Sequence, residues 1–215
     1  MSFHTLDRTR LHDAAEALAK VDPRLREVLQ QLGPPPLWKR PATFGTLVHI
    51  LFEQQVSLDS AKATFERLKD ACGGRVTAEQ VVSLRESGLR ELGITRQKSR
   101  YAFQLAEDVA NGGFLIGALR HADDDEVRRR ITGRLGLGPW TADVFLLMAL
   151  ARPDVLPVGD LALVKGLGEL DSRGFNDQQS LIERAEKWRP YRSVATRMVW
   201  QFYLANRNRL ARYMD

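Results

Sequence analysis

Two stretches of this chain carry residues whose type and spacing could do chemistry. The first is Asp160, which follows Pro157-Val158-Gly159 and precedes the apolar series Leu161, Leu163, Val164 and Leu167, so that it stands where a loop becomes a helix. A carboxylate there has two readings. It can be an N-cap, accepting a hydrogen bond from one of the orphan amides of the first turn. It can also be a fixed negative charge that stabilises positive charge in a reacting molecule. The second stretch is Gly136-Leu137-Gly138-Pro139. Two glycines are expected to adopt backbone angles closed to other residues, and a proline suits the first position of a helix. Such a turn would point bare amides outward, and amides at a helix start bind phosphate without a charged side chain. The plain alternative is an ordinary glycine connection between two helices.

The elements that must position these residues read as helices. Asp123 to Arg134 (DDDEVRRRITGR) has an acidic start, a capping box from Asp123 to Glu126 and a basic end. An apolar helix follows the glycine turn and ends before Asp160. From the start of the chain, Leu11 to Lys20 and Asp22 to Leu32 have helical spacing, with Asp22 as cap and Pro23 in the first position, and Gly33-Pro34-Pro35-Pro36 breaks the pattern. Thr43 to Leu51 opens another helix that runs toward Gln54-Gln55-Val56-Ser57. Further helices are expected over Ser57 to Asp70, from Thr77 as a cap to Glu86, and from the turn Gly93 to Lys98, capped by Thr95, through Val109. Beyond Asp160 come Asp177 to Lys187 and a strongly apolar helix over Tyr191 to Asn206. No alternating strand pattern occurs, so the class is all-α.

Composition narrows the function classes. The 215 residues, 44% of them apolar, suffice for one domain or two packed subdomains. A net charge of +5 permits a polyanionic partner without requiring one. Cys72 is the only cysteine, which excludes an internal disulfide framework and an iron–sulfur cluster. His4, His12, His49 and His121 show no ligand spacing with Cys72, so no metal and no cofactor is expected, and His49 reads as a half-buried helix residue. The opening residues lack an apolar signal core, and the longest apolar run, Val144 to Ala151, is too short to span a bilayer. A soluble, cytoplasmic protein with no membrane association is expected.

The order of these stretches resembles the helix-hairpin-helix Gly/Pro/Asp superfamily of DNA glycosylases, in particular the alkylbase, or 3-methyladenine DNA glycosylase II, group. Gln54-Gln55-Val56-Ser57 is similar to that group's Gln-x-Ile/Val-Ser turn, and Gly93 to Lys98 to its Gly-x-Ser/Thr-x-x-Lys segment. Pro139 to Ala142 and Arg152 to Leu161 match the hairpin and Asp segments, and Trp188 to Ser193 the Trp-x-Pro-Trp/Tyr-Arg-Ser block. One departure is Leu135, where many members have proline.

The resemblance implies two helical subdomains flanking a cleft, residues 44–154 with the hairpin and residues 1–43 plus 155–215 with the catalytic carboxylate. It implies a monomeric, monofunctional enzyme that removes N-alkylated purines from double-stranded DNA in base excision repair. Asp160 would be catalytic. Gly136, Gly138, Thr141, Gln55 and Lys98 would bind DNA, with Gln55 inserted into the duplex, and Trp140 and Tyr191 would line the base pocket. Gln55 could instead be a polar loop residue bonding the backbone, and Arg96 and Lys98 could belong to a solvated helix face. Trp188 and Trp200 are expected in the core. Members that also cut the backbone place a lysine two residues past the second hairpin glycine; Trp140 stands there. The alternatives are a non-enzymatic helix-hairpin-helix DNA-binding protein and a glycosylase for oxidised or mismatched bases.

Overall fold

The computed structural model describes residues 5–175 and 177–213, and no strand occurs among them. The all-α expectation is met, the described residues forming eleven α-helices in chain order. They are α1 (Arg8–Val21), α2 (Pro23–Leu32), α3 (Phe44–Glu53), α4 (Leu58–Ala71), α5 (Ala78–Glu91), α6 (Arg96–Ala110), α7 (Asp124–Thr132), α8 (Pro139–Met148), α9 (Leu161–Asp171), α10 (Gln178–Ala185) and α11 (Arg192–Ala205). Short 3-10 turns lie at Ile116–His121, Glu186–Trp188 and Leu210–Tyr213. No helix among the described residues is long and apolar enough to cross a membrane.

Side-chain caps decide where most of these helices begin. Asp22, Thr43, Ser57, Thr95, Asp123, Asp160 and Asp177 each accept a hydrogen bond from a first-turn amide. Thr77 and Gln80 form a reciprocal capping box at α5. The box expected at α7 does not close, because the Glu126 side chain turns away to pair with Arg129 and Arg130. Helix α5 runs past Glu86 to Glu91, with a break at Arg85, whose φ is 60°.

The chain forms two compact units. One is Arg40–Phe145; the other joins the described parts of Ser2–Lys39 and Leu146–Asp215. In the first, α5 packs on α6, and α3 packs on α4 and α6. In the second, α1, α2 and α9 all pack against α11. The α9–α11 crossing is close at Gly166, where an added Cβ would lie 2.9 Å from Val199 Cγ1. That approach sets the start of α9 relative to α11. The core of the second unit gathers Leu11, Leu18, Leu25, Leu163, Leu167, Val194 and Met198. Each fully buried leucine contributes about 1.5 to 3 kcal/mol. Trp188 is buried there, as expected, and its indole N–H donates to Asp22 Oδ2 at 2.6 Å. Asp22 itself is fully buried and pairs with Arg184 at 2.6 Å. Burial pushes its pKa up, but the Arg184 and Trp188 hydrogen bonds outweigh burial and hold the carboxyl below the usual range.

Candidate active site

In the second unit, Asp160 accepts two hydrogen bonds on one carboxylate oxygen. Its Oδ1 accepts the Leu163 amide at 2.8 Å, which is the N-cap bond, and the Trp200 indole N–H at 2.9 Å. The side chain is thereby fixed in direction while 8% of the residue stays exposed. Trp200 comes from α11 and is half-buried, so the expectation of a purely core role is corrected. It packs on the core by one part of its ring and holds the carboxylate by the other. Helical periodicity could not show this, because the partner lies 40 residues away.

A second aromatic ring, Trp38, stands at 6.3 Å from Trp200, inclined by 54°. Trp38 has φ 45°, a left-handed conformation that costs a non-glycine residue about 1 to 3 kcal/mol. The neighbouring contacts account for it. The Trp38 indole donates to the Tyr213 carbonyl, and the preceding carbonyl of Leu37 accepts from Arg197 Nε at 2.9 Å. Tyr191, the residue before α11, is half-buried against the same core, and its amide donates to Trp188 O at 2.7 Å.

In the first unit, the glycine hairpin joins α7 to α8. Arg128 of α7 donates to Asp143 of α8 at 2.8 Å, which ties the two helices together. Arg134 donates to Asp108 at 2.6 Å and to Gly113 O at 2.9 Å, with its guanidinium 4.4 Å from the Phe114 ring centre. Arg129 and Arg130 pair with Glu126. These arginines are engaged within the protein. Helix α8 starts at Pro139, and the Ala142 amide closes its first turn on Gly138 O at 3.2 Å.

The two glycines prove to be different. Gly136 has φ +80°, and a Cβ on it would lie 2.0 Å from the Tyr101 ring. Gly138 has no positive φ and no atom within 4 Å of a Cβ position, which corrects the expectation that both glycines serve special backbone angles. Thr141, expected at DNA, is fully buried; its hydroxyl accepts from Gln54 Nε2 at 2.9 Å. Lys98, expected to reach phosphate, turns inward and donates to Phe52 O at 2.8 Å and Gln54 O at 2.9 Å. Burial pushes its pKa down. Gln55 is exposed with φ 58°, and its side chain makes no hydrogen bond with any described residue. Its neighbour Gln54, which the sequence did not single out, is the glutamine that bonds the structure. Trp140 is half-buried in the first turn of α8.

The model of the HhH-GPD superfamily of base excision DNA repair proteins matches residues 48–190. The chain belongs to the HhH-GPD superfamily. That match takes in the Gln54-Gln55 turn, the hairpin, Asp160 and the start of the Trp188 block. Among solved structures, a DNA-3-methyladenine glycosidase from Bacillus halodurans is 30% identical with a TM-score of 0.75, over 97% of this chain and 95% of that one. A Schizosaccharomyces pombe 3-methyladenine DNA glycosylase in complex with abasic DNA has the same fold, with a TM-score of 0.81 at 22% identity, over 88% of this chain and 95% of that one. A Mycobacterium tuberculosis protein named as a bifunctional transcriptional activator and DNA repair enzyme is 30% identical over 86% of this chain. The chain spans 38% of that relative's length and 58% of another curated relative's.

Proposed function

We propose that this HhH-GPD chain is a monofunctional DNA glycosylase that hydrolyses the N-glycosidic bond of N-alkylated purines in double-stranded DNA. The observation that carries the reading is the fixation of Asp160 Oδ1 by Leu163 N–H and Trp200 N–H. A carboxylate held in this way needs no reorganisation as positive charge develops on a sugar beside it. Cleavage of the bond between C1′ and the base nitrogen leaves an oxocarbenium-like sugar, and water then takes the place of the base. Asp160 stabilises that cation and orients the water. A purine alkylated at N3 or N7 is already cationic and leaves without a general acid.

Trp200 and Trp38 supply the recognition. A cation over an aromatic face gains about 0.5 to 2 kcal/mol, more when desolvated, so a charged alkylpurine is preferred to the neutral parent base. Trp140 and Tyr191 are further aromatic contacts of the extruded base. The target nucleotide leaves the duplex to reach them, and Gln55 fills the gap. The amides of the hairpin at Gly136 and Gly138 hold a backbone phosphate, which positions the enzyme without reading sequence. The protein acts as a monomer and needs no cofactor. The similarity to 3-methyladenine glycosidases supports the substrate class.

Duplexes bearing a single 3-methyladenine, 7-methylguanine, 8-oxoguanine or undamaged purine test the proposal directly. Release of the two alkylated bases is expected, with the strand intact until alkali cuts the abasic site. Because tryptophan holds the lysine position, borohydride added during turnover should trap no protein–DNA adduct. Release of 8-oxoguanine alone, or an efficiently trapped adduct, would refute the assignment.

A further inference from the structure

Gln54 and Gln55 are adjacent and chemically identical, yet the structure sends them in opposite directions. Gln55 stands exposed with φ 58°, flanked by Val56 and Leu58, which are 45% and 41% exposed. Gln54 points into the first unit, and its single amide nitrogen donates to two acceptors on the hairpin, Gly136 O and Thr141 Oγ, each at 2.9 Å. Gly136 is the left-handed glycine of the turn, and Thr141 lies buried in the first turns of α8. One side chain therefore spans from the turn after α3 to both sides of the hairpin.

The same turn is gripped from its other side by Lys98. Its ammonium, half-buried in the first turn of α6, donates to Phe52 O at 2.8 Å and Gln54 O at 2.9 Å. Phe52 lies in the last turn of α3, whose carbonyls have no partner inside the helix and form the negative end of its dipole. Desolvating an ammonium is costly, and no carboxylate contributes to holding the Lys98 charge. What the charge secures is the path of the chain through the turn, ending one residue before Gln55.

We infer that Gln54 and Lys98 are positioning residues that lock the Gln55 turn to the phosphate-gripping hairpin, so that seizing the backbone and wedging the duplex are carried out by one rigid body. A non-glycine residue held at positive φ reverts unless its surroundings over-determine it. Here the two side chains supply that restraint, from α6 on one side and the hairpin on the other. Without them the hairpin still binds phosphate, but Gln55 no longer arrives at a fixed distance from it. The inference rests on the reading of Gln55 as the residue that enters the duplex.

The test uses a duplex with a tetrahydrofuran abasic analogue beside 2-aminopurine, whose fluorescence rises when the base stack is opened, together with Kd from anisotropy and Tm from thermal melting. Gln55→Ala should lose the fluorescence rise. Lys98→Met and Gln54→Ala should reduce it about tenfold, as expected for removing a hydrogen bond to a charged group or two neutral ones, with Kd changed less than about threefold. Combining either with Gln55→Ala should add nothing further, since both act through the same residue. Thr141→Val removes one acceptor of Gln54 without touching the turn, and should give a smaller loss of the same kind should the other variants melt early. Effects of Lys98→Met that multiply with those of Gln55→Ala, or an unchanged fluorescence rise in folded Lys98→Met, would overturn the inference. An unchanged rise in Gln55→Ala would instead remove the wedge reading on which it stands, and the inference with it.

Discussion

Replacing Asp160 separates its structural role from the catalytic one proposed for it, because asparagine and alanine remove different parts of it. Asparagine keeps one acceptor oxygen for Leu163 N–H and Trp200 N–H, the two bonds that Oδ1 now makes. It loses the charge at the start of α9, which is worth about 0.3 to 1 kcal/mol against the helix dipole. Alanine loses the acceptor as well. The cap then costs about 1 kcal/mol, and a half-buried indole N–H left without a partner about 1 to 3 kcal/mol more. The structural loss is therefore below about 1 kcal/mol for Asp160→Asn and about 2 to 4 kcal/mol for Asp160→Ala. For a chain of this size, 1 kcal/mol moves Tm by about 2 to 4 °C. The asparagine variant should melt within about 4 °C of wild type, and the alanine variant about 4 to 16 °C lower. Excision should not follow that order. Removing a preorganised charge from the transition state costs about 100- to 1000-fold, so both variants should fall to a similar low rate of 7-methylguanine release under single-turnover conditions. Excision by Asp160→Asn within a few-fold of wild type, with alanine alone impaired, would make Asp160 a cap and nothing more.

The other predictions concern the hairpin and acid stability. Gly136→Ala places a Cβ 2.0 Å from the Tyr101 ring at φ +80°, so it should lose about 2 to 4 kcal/mol of stability in a denaturant titration. Gly138→Ala meets nothing within 4 Å and should melt as wild type while binding every duplex more weakly, because the methyl occupies the space the proposed phosphate contact needs. Unchanged duplex affinity in Gly138→Ala would place the phosphate elsewhere. His49 is half-buried on α3, as expected, stacked on Phe65 at 4.3 Å, and burial pushes its pKa down to about 4, against the upward pull of Glu53. The unfolded chain takes up this proton near pH 6.5, before the folded chain does. Stability present at neutral pH is therefore lost as pH falls from about 6.5 to about 4, by about 3 kcal/mol in total, and the loss then levels off. His49→Gln should flatten this part of the stability profile; an unchanged profile would refute the assignment. Asp22, whose carboxyl is held below its ordinary range, adds its own loss at lower pH, where the folded state finally protonates it.

Much of the helical frame was legible because caps are local. Asp22, Thr77, Thr95, Asp123 and Asp160 each accept from an amide two or three residues away, so their role is written in adjacent letters. The roles of Gln54 and Trp200 were not legible for the opposite reason. Gln54 meets acceptors 82 and 87 residues away, and nothing in the pair Gln54-Gln55 says which of two identical side chains turns inward. The decision is made by the left-handed φ of Gln55, a product of packing. Lys98 looked like a surface cation, since a lysine in the first turn of a helix next to an arginine is usually solvated. The end of α3 behind it gave the ammonium unpaired carbonyls to satisfy, and that took it inward. Gly136 and Gly138 read alike as letters, and differ only because Tyr101, from another helix, closes over the first and leaves the second open.

The second unit shows how the carboxylate is placed by a helix that does not carry it. On α11, Arg197, Trp200 and Gln201 lie three and four residues apart and so share one face. Gln201 Nε2 donates to Leu32 O at 3.1 Å, at the end of α2. Trp200 holds Asp160 at the start of α9. Arg197 is fully buried, and its guanidinium donates to Leu37 O, Ser193 O and Leu147 O at 2.9, 3.0 and 2.7 Å. Leu147 lies in the last turn of α8, and Leu32 in the last turn of α2, where carbonyls have no helical partner. A rigid fork with donors in several directions suits three separate carbonyls, whereas a lysine presents its donors from a single point. An apolar residue of the same length would bury the helix equally well but take the donor from Leu37 O and Leu147 O, at about 1 to 3 kcal/mol each. Val194, Met198 and Val199 supply the apolar attachment of α11, which alone would tolerate small slips. The polar stripe fixes its register, and with it the position of the Trp200 indole that aims Asp160.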